Sequence, residues 1–157
     1  MAAEVTAAYT IPDLHEPIRA LLLADTEFAA LTGGRLGTRA PADVTTPYAV
    51  LRCSASPLSA SSRSVGWRGG VQLHGCATRT VGTVYPETLA WNICAVAARV
   101  LDRSGQQTWA EPDSDRTVTY TPRLTDGPLP MEPDNTRGDD NVVYWAMVRA
   151  TFPIHLR

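Results

Sequence analysis

The run VQLHGCATRTVGTVYPETLAWNICAVAARVLDR, Val71 to Arg103, decides the fold. Its first seven residues alternate, with Val71, Leu73 and Gly75 on one side and Gln72, His74 and Cys76 on the other. That is the period of a strand with two unlike faces. Gly75, inside the pattern, is read as a bulge. Near Pro86 the period changes to that of a helix. Proline is tolerated in a first turn, and Glu87 complements the dipole there. Leu89, Ile93, Val96, Val100 and Leu101 form an apolar stripe, with Ala90, Ala97 and Ala98 permitting close approach. Arg99 and Arg103 stand near the end and Gly105 stops the helix. From about Val84 to Arg103 it is about 30 Å long, enough to cover one face of a sheet.

On the N-terminal side, a second amphipathic helix is expected from Asp13 to about Leu31. Asp13 and Glu16 have capping-box spacing, with Pro12 and Pro17 near the first turn. Leu14, Ile18, Leu21, Leu22 and Leu23 supply its stripe. Asp25 is placed to cap a second short turn that adds Phe28 and Leu31 to the same core, and Gly33 or Gly34 supplies a left-handed C-cap. Residues 35–46 read as a loop with a short extended piece. Pro47 to Arg52 opens the first strand. Residues 54–70, rich in Ser and Gly, read as a long polar loop in which Trp67 either folds back onto the core or awaits a partner. Residues 1–10 read as an arm.

On the C-terminal side, Gln107 to Trp109 and Thr117 to Tyr120 read as short strands around a turn. Residues 122–141 hold four prolines, two glycines and five acidic residues and read as a second long loop without regular structure. From Asn141 to Phe152 apolar residues occupy both faces: Val142, Tyr144, Ala146, Val148, Ala150 and Phe152 on one, Val143, Trp145 and Met147 on the other. This is expected of a central strand or of one buried in an assembly. The parts add up to an α+β fold: a mixed, mainly antiparallel sheet with two helices packed on one face.

At 157 residues with 44% hydrophobic content, one domain with a two-layer core is expected. The net charge is −2, which gives no electrostatic case for wrapping nucleic acid. All 14 basic residues are arginine, a bias attributed to a GC-rich genome. The first residues lack the pattern of a signal peptide, and no apolar run reaches the roughly 20 residues of a membrane span. Cys53, Cys76 and Cys94 are far apart and read as small buried hydrophobes in a reducing cytoplasm.

No reactive constellation emerges. His15, His74 and His155 are isolated, and no Cys/His pair has metal-ligand spacing. The serines at 54–64 sit in no nucleophile motif. The glycines after Leu31 follow a helix instead of opening one, so they do not aim amides at a phosphate. Asp134, Asp139 and Asp140 lack the spacing of a calcium loop. Neither catalysis, a cofactor nor a metal is expected.

One resemblance adds to this reading. A helix ending in Leu31-Thr32-Gly33-Gly34-Arg35-Leu36, then Pro47-Tyr48-Ala49-Val50-Leu51, then Val71-Gln72-Leu73 and a long Ala-rich helix is similar to the tail terminator, or tail completion, proteins of long-tailed non-contractile phages. Versions from actinobacterial phages are the nearest in layout. The resemblance covers roughly residues 13–104 and the last strand, and leaves 122–141 unmatched. It implies a structural protein of the virion's tail–neck region, assembled in the host cytoplasm. It implies a ring of six copies at the head-proximal end of the tail tube that stops tube polymerisation and offers a docking face to the head connector. The partners implied are further copies of the chain, the major tail tube protein and the head-closure protein. DNA would pass through the lumen without specific binding, helped by a ring charge of about −12 from six copies at −2 each. The candidate contacts are Trp67 and Arg68 in the first long loop and Asp134, Arg137, Asp139 and Asp140 in the second. The competing readings are another neck or minor tail protein, and a small bacterial α/β ligand-binding protein or enzyme.

Overall fold

A computed structural model describes residues 12–57 and 66–156 of the chain. The element order is α1 (His15–Leu23), α2 (Thr26–Thr32), β1 (Leu36–Gly37), β2 (Tyr48–Pro57), β3 (Gly66–Ala77), α3 (Pro86–Arg103), β4 (Gln107–Ala110), β5 (Thr117–Tyr120), β6 (Arg123–Pro130), a 3-10 turn (Asp139–Asn141) and β7 (Tyr144–Leu156). The seven strands form one sheet in the order β1-β2-β3-β7-β5-β4, with β6 also on β7. Only β1 and β2 are parallel. The fold is therefore α+β with a mixed, mainly antiparallel sheet, as expected, but with three helices among the described residues where two were anticipated.

The extra helix arises because Asp25 interrupts the first. Its backbone is extended, and its carboxylate accepts the Phe28 N–H at 2.9 Å, which starts a new helix instead of continuing the old one. Phe28 is fully buried as a result, and Gly33 closes α2 in the left-handed conformation. The capping box at Asp13 does not form. Leu14 is the N-cap and has no side-chain cap, because the Asp13 carboxylate turns to the His15 N–H at 3.0 Å and the His15 ring at 2.7 Å. The other ring nitrogen, Nε2, then accepts the Cys53 N–H at 3.0 Å on the outer edge of β2.

Two expected loops are partly strand. β2 and β3 stay in register from Tyr48↔Cys76 to Pro57↔Trp67. Ser54–Pro57 and Gly66–Gly70 thus belong to the hairpin, and 58–65 lies outside the described residues, as does the arm at 1–10. The polar composition was one face of a two-faced ribbon. Within 122–141, residues 123–130 pair with β7, with register shifts on either side of Asp126. Proline and glycine break the regular pattern without preventing pairing beside a central strand. A Cβ on Gly127 would meet the Met147 carbonyl at 2.6 Å.

The helices cover one face of the sheet. Ile18, Leu22, Phe28, Ile93, Cys94, Ala97 and Leu101 pack there on Leu51, Leu73, Val118, Val148, Phe152 and Ile154. Gly75 is not a bulge: pairing continues through it on both sides. It lets α3 come close, since a Cβ there would stand 2.5 Å from the Ala90 carbonyl oxygen and 2.9 Å from Ile93 Cβ. β7 is central, with β3 along one edge and β5 and β6 along the other, and it runs on to Leu156.

Candidate assembly surface

Among the described residues no helix covers the face of the sheet opposite α1, α2 and α3. Across β2, β3 and β7 its rows read Tyr48–Cys76–Trp145, Val50–His74–Met147 and Arg52–Gln72–Arg149. Tyr48, Val50 and Cys76 join Val44 and Val143 in a second, smaller apolar cluster, against which Trp145 packs. The segment after β6 folds over this end. Asp134 and Val143 exchange both backbone hydrogen bonds at 2.8 Å, and the Trp145 indole N–H donates to the Glu132 carbonyl at 2.8 Å.

Between the segment and the sheet lies an open groove of about 510 Å³, lined by Tyr48, Val50, Arg52, His74, Cys76 and Trp145 on the sheet side and by Glu132, Asp134, Arg137 and Val143 opposite. His74 meets the Trp145 ring edge-on with centroids 4.9 Å apart, and Gln72 Nε2 lies 2.7 Å from its Nε2. Burial first, then the charges of Arg52 and Arg149, hold His74 below the ordinary histidine pKa, so it is set to remain neutral. Desolvation pushes the Tyr48 hydroxyl and the Cys76 thiol up to about 12. These are poor settings for a nucleophile. Asp134 is held low by the Thr136 backbone N–H first and by the Thr136 side chain next. Among the described residues no three side chains of His, Cys, Asp or Glu come together to hold a metal ion.

The six residues singled out in the sequence separate. Asp134 and Arg137 line the groove. Asp139 and Asp140 continue the same segment, exposed, in the 3-10 turn. Arg68 is exposed on the open face at its far end, in the row Ser56–Arg68–Pro153. Trp67 points the other way. It is 8% exposed, packs in the main core and leaves its indole N–H without a partner. Of the two alternatives for this residue, the structure shows the fold back onto the core.

Sequence reading missed Val81, Tyr85 and Trp91, which are 50%, 68% and 40% exposed around the start of α3. The signal was available for Trp91: it lies beside the stripe Leu89–Ile93–Val96, an expensive residue to leave at the margin of a buried face.

The family model for tail completion protein gp17 matches residues 16–127. The chain belongs to this family. It is a component of phage tail assembly and so of the virion. The match begins in α1 and reaches into β6, so it takes in the three helices and β1 to β5. No curated protein matches the chain. Among the described residues no helix is long and apolar enough to cross a membrane.

Proposed function

We propose that the chain is a tail terminator: it forms a six-membered ring on the head-proximal end of the tail tube, stops tube polymerisation and gives the head connector its docking face. Membership of the tail completion family carries the reading. The fold supports it physically. A closed head-to-tail ring needs two different surfaces on each subunit. One is on offer at the groove with Asp134 and Arg137, and another at Val81, Tyr85 and Trp91 at the start of α3. Aromatic residues of this kind anchor protein contacts well. The partners are further copies of the chain, the tube protein on one side and the head-closure protein on the other. DNA passes through the lumen unbound. The role is mechanical and requires no bond to be made or broken.

Cryo-electron microscopy of the intact virion tests the assignment. A ring at the junction of tube and connector should accommodate six copies of this fold, with Tyr85 or Trp91 at the subunit boundary. A junction ring built of another chain, with this one elsewhere in the tail, overturns it.

A further inference from the structure

The open face carries a second hollow of different character. Beyond the apolar rows, Arg52 and Arg149 flank Gln72, and the next row, Ser54–Gly70–Thr151, is small and polar. The two arginines are two strand spacings apart, about 10 Å between backbones. Gly70 supplies a bare floor, since a Cβ there would stand 2.8 Å from Ser54 Oγ. Arg52, Arg149, Ser54 and Thr151 line the resulting space of about 250 Å³.

Neither arginine forms an ion pair among the described residues. Among the described residues the ion pairs are Asp25 and Glu27 with Arg99, and Glu111 with Arg116. Asp126, opposite Arg149 in register, makes none with it. The unbalanced charge registers one row away, where it adds to burial in lowering the proton affinity of His74.

We propose that this hollow binds a carboxylate side chain on an extended segment of a partner protein, whose apolar side chain two residues away sits in the neighbouring groove. Two observations select this ligand. Arg52 lines both the hollow and the groove, so the acidic and apolar subsites are continuous. Their rows are two residues apart along β2, and side chains two apart on an extended segment share one face at the same spacing. Paired guanidinium groups grip a carboxylate with directed, charge-assisted hydrogen bonds. A nucleic acid fits less well: the site has room for one anionic group, its neighbour is apolar, and Glu132 and Asp134 at the groove repel a polyanion. All its lining residues come from one chain, so the isolated chain is enough to test it.

The test is an NMR titration of the full chain with a blocked pentapeptide of phenylalanine, serine, aspartate, serine and phenylalanine, with the asparagine counterpart, inorganic phosphate and a short DNA duplex as competing probes. The acidic peptide should shift the Gly70 and Gln72 amides and the Trp145 indole N–H saturably, and should raise the pKa of His74. The asparagine peptide should bind about tenfold more weakly, and so should the acidic peptide to Arg149→Gln or Arg52→Gln. Both arginines are exposed, and spectra unchanged away from the face confirm that the variants are folded. Four results overturn the proposal: no saturable shift, equal binding of the asparagine peptide, indifference to the arginine variants, or displacement of the peptide by phosphate or DNA at lower concentration.

Discussion

His74 sits where burial and two arginines act together, and the consequence is a pH dependence of stability. In the unfolded chain a histidine takes up its proton near pH 6.5; in the fold His74 takes it up at lower pH. Between those values the unfolded state binds the extra proton, so stability is full above about 6.5 and falls as pH drops through the window below it. Chemical denaturation at pH 7 and pH 5 should show a smaller loss in His74→Gln than in the parent. Equal losses would mean that the ring is not held neutral. Asp25 makes a second prediction. It caps α2 through Phe28 and also meets Arg99 at 3.2 Å. Asp25→Ala should cost about 1 kcal/mol, read as a drop of roughly 2–4 °C in Tm. Trp67→Phe should be nearly neutral, within about 1 kcal/mol, because the smaller ring is offset by removal of a desolvated, unpaired indole N–H; thermal melts check both. Asp25 and Phe28 were readable from sequence, since capping and helical spacing are local. The orientation of Trp67 was not, because a Ser/Gly neighbourhood does not reveal which face of a strand a residue occupies.

Among the elements, the contact between α3 and β3 depends on the absence of a side chain at Gly75. Gly75→Ala sets a methyl against the Ala90 carbonyl, backbone that cannot rotate away. The expected cost is about 1–3 kcal/mol, measured by urea denaturation; a neutral result would show that α3 slides freely on the sheet. The helix itself was legible to within two residues: it was expected from about Val84 to Arg103 and runs from Pro86 to Arg103, with Ser104 as its C-cap just before Gly105. The strands flanking it were half legible. Alternation is clear where large apolar residues mark it, as at Val71 and Leu73. It fades where the core face is Ala55 and Gly69 and the other is Ser54, Ser56 and Gly70, although these residues continue the same ladder. β6 was hidden for another reason. Its pairing with β7 is interrupted twice and spans a proline-rich stretch, and such a strand is created by a neighbour distant in sequence, not by its own propensity. The open-face groove was invisible for that reason too: Asp134 and Arg137 reach it only because 131–143 folds back over β2 and β3.

For the whole molecule, the division of labour is between the two faces of one sheet. The helix side is closed and supplies stability. Among the described residues the open side exposes an apolar groove, a pair of arginines outside any ion pair and an acidic segment, and together with the aromatic residues around the start of α3 it forms the surface proposed for partners. Arg137→Glu together with Trp91→Ala should leave the fold intact and prevent ring closure, seen by mass photometry as loss of the species near 102 kDa, six chains of 17.0 kDa each; in that assay the parent chain, added to tube ends, should form it. The central claim is that this chain ends tube growth and joins the tube to the head. The distribution of tail lengths in particles made without the chain, measured by electron microscopy, tests it most directly. Overlong tubes of variable length, unattached to heads, are the expected result, and headed virions with tails of normal, uniform length would contradict a terminator role.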